Sequence, residues 1–279
     1  RGSSVSRLTI LFLAGLLAAC GGPPTPRTAD TARPVRIVSL DYCADQYVLE
    51  FLDHDRILAV SPNAEKDFSY MRDTAKGLRT VRPIAEDVIL LKPDLVVRSY
   101  GGGPDATHFF ERAGIPVLDV GWASDLPGVL ANVQRIADGL GEHDRGAALV
   151  AETQARLDHL ARRSSGKSAL YMTPAGVTSG PGSLVHEMIV AAGLENFQRQ
   201  PGWRSLPLER LAYEAPEVIA AAFFGARTNH PDAWSPMNHP VARAQLADRT
   251  VVSLEGAWTS CNGWFLIDAI EALAEGSDT

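Results

Sequence analysis

The chain has 279 residues, of which 46% are hydrophobic, 21% charged and 7% aromatic, with 24 Gly, 18 Pro and three Cys. This composition excludes collagen-like, coiled-coil, disordered and disulfide-dense chains, and the length can bury one large core or two ordinary ones without staples. The net charge is −7, from 26 Lys+Arg against 33 Asp+Glu with no large basic block, which argues against a nucleic-acid partner held through many phosphate contacts.

Arg1 and Arg7 precede an uncharged run, Leu8 to Ala19. As a helix these residues reach about 18 Å, too short for a ~30 Å hydrocarbon core. A basic start, a short apolar run and small residues at its end read as a secretory signal over residues 1–19. The run closes Leu17-Ala18-Ala19-Cys20, which resembles the bacterial lipobox and makes Cys20 the expected lipidation site. Residues 20–34 are rich in Pro, Gly and Thr without apolar periodicity and read as a flexible tether. The expectation is an exported protein on the periplasmic side, held at the membrane by lipid only, or soluble there if Cys20 carries none.

From Val35 onward, short apolar β-branched runs alternate with helical stretches. Residues 35–40, 57–61, 94–99 and 115–120 read as strands buried on both faces, with helices over 45–52, 85–91 and 105–113. A second set follows, with strands near 169–173, 218–224 and 250–254 and helices near 183–192, 208–212, 241–247 and 262–274. Between the sets lie a helix over 125–140 and a longer one from about Asp144, its expected N-cap, to Arg163. The fold class is therefore α/β, with two Rossmann-like lobes, each a mostly parallel sheet covered by helices. Residues 35–124 form the N-terminal lobe, 125–165 the linking helices and 166–279 the C-terminal lobe, with the ligand cleft between the lobes. Glu86–Val96 and Glu209–Ile219 share one pattern: Glu opens a short helix, Pro follows seven residues later, then an acid and a strand. Duplication explains this better than common turn chemistry.

Motifs that suggest enzymes fail on context. Gly101–Ala106 fits the G-x-G-x-x-G/A fingerprint and follows a strand, but that strand is the third of its set, and a lone Gly-rich turn is weak. Gly166-Lys167-Ser168 lacks the first P-loop glycine and sits between helix and strand in the wrong order. Neither G-x-S-x-G nor H-E-x-x-H occurs. Of seven His, only His230 and His239 are neighbours in a Pro-rich loop, and two imidazoles are too few for a metal site.

The tether, two lobes and one long connecting helix, together with Arg36–Asp45, Glu86–Val97, Gly114–Val117, Val177–Gly180, Ala192–Asn196, Trp203–Pro216 and Trp258–Leu273, resemble the helical-backbone substrate-binding proteins of ABC importers. That group handles cobalamin, ferric siderophores and haem, and the nearest resemblance is to its cobalamin-binding members. The resemblance implies a capture protein and not an enzyme. It has no cofactor of its own and delivers a metal chelate, a corrinoid or a ferric siderophore, as a monomer to a permease dimer with its ATPase. Haem or bare metal on the same fold, and less readily an exported enzyme, are the alternatives.

By the same resemblance, each lobe offers one surface Glu to a permease subunit, here Glu86 and Glu209. The loops after the first strand and before the last helix face each other, which nominates Tyr42, Cys43, Trp258 and Cys261 for the ligand. Trp203 stands where cobalamin-binding members carry a cleft aromatic, and Arg98 and Tyr100 end a strand at the cleft. An Arg there favours an anionic chelate. The sequence departs from the family pattern at Tyr42, Cys43, Gln46 and Cys261, all cleft positions. Cys43 and Cys261 fit either a disulfide or two free thiols, with joint metal contact a third option.

Overall fold

A computed structural model describes residues 33–162, 165–222 and 235–277. The proposed signal, the lipidation site at Cys20, all of the tether but Arg33 and Pro34, and the imidazole of His230 lie outside these residues. In the N-terminal half, β1 (Ile37–Ser39), α1 (Tyr42–Phe51), β2 (Ile57–Ala59), α2 (Ala85–Ile89), β3 (Leu95–Arg98), α3 (Ala106–Arg112) and β4 (Val117–Asp119) follow in order. The four strands pair in parallel in the order β2-β1-β3-β4. The central strands β1 and β3 are buried throughout, which is why Ile37–Val38 and Leu95–Val97 run apolar without alternating.

Two helices, α4 (Leu126–Gly139) and α5 (His143–Leu160), connect the halves. Asp125 caps α4 by accepting the Gly128 amide at 2.7 Å. The long helix starts one residue before Asp144. Its N-cap position belongs to Glu142, whose carboxylate instead pairs with Arg33 and Arg56. Asp144 stands in the first turn, where its charge still meets the positive helix end.

The C-terminal half runs β5 (Ser168–Met172), β6 (Val177–Ser179), α6 (Leu184–Ala191), β7 (Glu195–Asn196), β8 (Trp203–Ser205), α7 (Leu208–Leu211) and β9 (Val218–Ala221). It ends with α8 (Pro240–Asp248), β10 (Thr250–Ser253), α9 (Gly256–Thr259) and α10 (Leu266–Gly276). The parallel sheet has the order β10-β9-β5-β7, and β6 pairs with β8 as a separate antiparallel ribbon. The α/β class with two parallel sheets is thus confirmed. The sequence reading did not anticipate the β6–β8 ribbon, whose strands are three residues each.

The last helix departs from expectation in a way that matters for the cleft. It begins at Leu266 and not at 262. The preceding residues Cys261, Trp264 and Phe265 are buried in the core of the N-terminal half, among Tyr47, Phe51 and Val133. Trp264 meets Tyr47 edge-on at 5.3 Å, and Tyr70 stacks on Phe265 at 4.9 Å. The C-terminal segment therefore plugs into the first half before turning back as α10. Arg156 of α5 holds α10 itself through Asp268 and Glu271, each at 2.6 Å.

Candidate functional site

The turn between β1 and α1 is only Leu40–Asp41. Asp41 is buried, and its Oδ1 caps α1 by accepting the Ala44 amide at 3.0 Å. Its Oδ2 accepts three more amides, from Ser99, Tyr100 and Gly101, at 2.7, 3.0 and 2.8 Å. Because the cap acts so early, Tyr42 and Cys43 sit in the first turn of a helix and not in a loop. Asp41 thus holds the backbone that enters the Gly101–Gly103 turn, Gly101 being the turn residue whose amide it accepts. Gly101 must be glycine, since a Cβ there would lie 2.6 Å from Leu40. Gly102 and Gly103 adopt φ +82° and +81°, the left-handed region glycine allows.

Arg98 is the largest difference from the sequence reading. It is 7% exposed and turned into the protein. Nε donates to Gly101 O at 2.9 Å, Nη1 to Thr107 Oγ1 at 2.7 Å and Nη2 to Gly103 O at 3.0 Å. Asp119 lies 3.6 Å from Nη1. This guanidinium holds the glycine turn and is not displayed to receive an anion.

The structure joins Cys43 to Cys261 as a disulfide with 5.4 Å between Cα atoms. The joint-metal and free-thiol options therefore give way to a covalent tie between α1 and the segment before α10. Tyr42 lies beside it, its ring edge-on to Phe68 at 4.8 Å and to Tyr100 at 5.9 Å. Burial first, and the Asp41 charge second, push the Tyr42 phenol above its usual range. Gln46, buried under the same turn, donates to Ser69 Oγ at 2.9 Å and accepts the Met71 amide at 2.7 Å. Gln46 thereby fixes a loop instead of facing a ligand.

Next to the disulfide lies a cavity of about 180 Å³. Its walls are Trp122, Tyr171 and Trp203, with Cys261 and the hydroxyls of Ser124 and Ser260 among the remaining lining groups, and no acidic or basic side chain lines it. Trp203, on β8, stands 57% exposed and edge-on to Tyr171 at 6.1 Å. Burial pushes the Tyr171 phenol up to about 12, so it stays neutral. Trp122 is 76% exposed and was missed by the sequence reading. Its only signal was a large aromatic in the short loop between a strand and a helix N-cap. Asn262 fixes that loop, donating Nδ2 to Ala123 O at 2.6 Å, while its own carbonyl accepts from Tyr47 Oη at 2.7 Å. Asn262 Oδ1 is buried with no partner among the described residues.

The nominated residues therefore divide. Tyr42, Cys43, Tyr100, Trp203 and Cys261 gather around the junction of the two halves. Trp258 is half-buried against the C-terminal core and does not line the cavity. Its place one turn into a four-residue helix turns it inward. His239 caps α8 through its ring, which accepts the Val241 amide at 3.2 Å. Among the described residues no group of three or more His, Cys, Asp or Glu is placed to hold a metal ion.

Glu86 and Glu209 are exposed in the first turns of α2 and α7, and neither carboxylate has a hydrogen-bond or ion-pair partner among the described residues. Their neighbours are different. Asp87 is paired with Arg82 at 2.7 Å, and Glu214 with Arg210 at 2.7 Å.

Known proteins share this fold. The haem-binding protein HutB of Vibrio cholerae aligns with a TM-score of 0.69 at 18% identity, covering 86% of this chain and 98% of that one. The vitamin B12-binding protein of the same species aligns at 0.64 and 18%, covering 88% and 97%. By sequence, a cobalamin-binding protein of Halobacterium salinarum is 26% identical over 265 residues, spanning 88% of this chain and 68% of its own length. Among the described residues no helix is long and apolar enough to cross a membrane. The periplasmic binding protein family pattern matches residues 37–226, and with that span the chain belongs to this family of substrate-binding proteins.

Proposed function

We propose that the chain is the substrate-binding component of an ABC importer and that it captures a large uncharged chelate of the corrinoid type. The observation that carries this reading is the cavity lining, which combines two exposed Trp with hydroxyl and amide groups and has no acidic or basic side chain. Flat rings suit a planar macrocycle, and hydroxyls suit its amide rim. A haem would bring two carboxylates, and Arg98, the guanidinium that the sequence offers for them, is fully engaged elsewhere. At about 180 Å³ the cavity is smaller than the ~300 Å³ needed to enclose a drug-sized molecule. A macrocycle rests one edge in it, with Trp122 and Trp203 against its faces.

The export signal, lipid attachment through Cys20 and monomeric state belong to the same reading. So does docking of Glu86 and Glu209 to a permease dimer with its ATPase. The unpaired state of these two carboxylates, beside acids that are paired, supports the docking role.

Calorimetric titration with cyanocobalamin, haemin and ferrichrome tests the ligand. Saturable binding of cyanocobalamin at one site, with haemin at least tenfold weaker, is expected. Tight binding of haemin alone, or of ferrichrome alone, sinks the corrinoid reading. For docking, Glu86→Ala with Glu209→Ala should abolish uptake in cells while leaving the cyanocobalamin affinity unchanged.

A further inference from the structure

The duplicated segment carries more than its two acids. Aligning Glu86 with Glu209 and Pro93 with Pro216 places Leu90 on Tyr213. These are the two most exposed large apolar side chains among the described residues, at 79% and 92%. A lone exposed apolar residue needs no explanation. The same feature at equivalent positions of two related segments, each one helical turn beyond an unpaired acid, does need one.

Both side chains stand on ordered supports. Leu90 is the C-cap of α2 and returns its amide to Glu86 O at 3.4 Å. Tyr213 follows α7, with its amide on Arg210 O at 3.0 Å. Arg210 is fixed in turn, its guanidinium 3.8 Å above the Phe197 ring and paired with Glu214. Anchors held in place before contact lose little freedom on binding. The nearby charges are also sorted: Asp87 and Glu214 are neutralised by Arg82 and Arg210, whereas Glu86 and Glu209 have no partner among the described residues.

We propose that Leu90 and Tyr213 are the apolar anchors of permease docking, each entering a socket on one subunit beside the basic group that takes Glu86 or Glu209. The inference rests on the docking reading above and names what that reading lacks, since rim charges alone steer encounters more than they hold a complex. Two related knobs on one chain fit a dimer that offers the same patch twice.

The test uses the full chain, titrated against nanodiscs that hold the permease–ATPase complex of the same organism and against empty discs of the same lipid. Leu90→Ala and Tyr213→Ala should each weaken binding to loaded discs by about tenfold, and together by about a hundredfold. Leu90→Met and Tyr213→Phe should restore most of it, and the cyanocobalamin affinity should not move. If Glu86→Ala with Glu209→Ala abolishes docking while the double anchor variant stays within twofold of wild type, the anchors are refuted and the docking reading stands. If neither pair matters, both fall. Binding to empty discs that the anchor variants lose would assign the knobs to lipid and overturn the proposal.

Discussion

The Asp41 carboxylate lies 2.8 Å from the amide nitrogen of Gly101, across 60 residues of chain, and accepts the amides of Ser99 and Tyr100 with the same oxygen. A glycine-rich turn with converging amides is a ready anion site. Here the anion is built in. That relationship welds the start of α1 to the end of β3 at the entry of the glycine turn.

Asp41→Ala should therefore destabilise the fold by about 3 kcal/mol, because it strands buried amides and removes a helix cap. Asp41→Asn keeps one acceptor and should lose roughly half as much. Urea unfolding measures both, and an Asp41→Ala variant as stable as wild type would show that the turn holds itself.

The alternation of elements was legible because buried parallel strands carry short apolar runs such as Leu95–Val97, too short for a helix and bounded by turn residues. The site was only partly legible, for physical reasons. Tyr42 and Cys43 read as loop although the Asp41 cap on the Ala44 amide is a local signal, because the bonds that fix Asp41 in place come from amides about 60 residues away. Arg98 read as a ligand contact because a strand-end position gives no direction. The carbonyls that hold it exist only once Gly102 and Gly103 adopt positive φ. Trp122 gave no periodic signal, since its exposure follows from a loop pinned by Asn262. The disulfide was an open choice until Cys261 was drawn into the N-terminal core with Trp264 and Phe265.

Asp45 gives the fold a pH dependence. Its carboxyl, in the first turn of α1, is fully buried and accepts from the Ser61 amide and hydroxyl at 3.1 and 2.6 Å. Burial raises it to about 6, with hydrogen bonds from Ser39 and Ser61 pulling part of the shift back. A carboxyl raised above its unfolded value stabilises most when protonated. The contribution is complete below about pH 4 and is lost as pH rises through about 6, a change on the order of 3 kcal/mol. Asp45→Asn should flatten this slope between pH 4 and 7 and be the more stable protein at pH 7. A wild-type slope that persists in the variant would place its origin elsewhere.

The Cys43–Cys261 bond closes a loop across 218 positions. On the chain-entropy account such a loop is worth about 5 kcal/mol. Cys43→Ser with Cys261→Ser should lower unfolding free energy by that order and remove the protein's sensitivity to reductant. The halves should stay joined, because Tyr70 still donates to Asp268 at 2.8 Å and Arg156 still holds α10. Circular dichroism and thermal melts with and without dithiothreitol read both effects, and an unreduced digest should yield the linked peptide. A double variant that melts with wild type would remove the disulfide from the stability of the fold.

Trp122 and Asn262 should act as one unit. Trp122→Ala removes a cavity wall and is expected to weaken cyanocobalamin binding by about tenfold or more, as for aromatic anchors that a ligand covers on binding. Asn262 also lines the cavity, and Asn262→Ala frees Ala123 O and with it the loop that presents Trp122, so a loss of roughly fivefold is expected. The Tyr47 bond is unaffected, since it uses the backbone carbonyl of residue 262. If Asn262 works through Trp122, the double variant binds no more weakly than Trp122→Ala alone, because contacting residues are not additive. Calorimetry on the four proteins decides it. Fully additive losses would mean that Asn262 meets the ligand itself, through the Oδ1 that has no partner among the described residues.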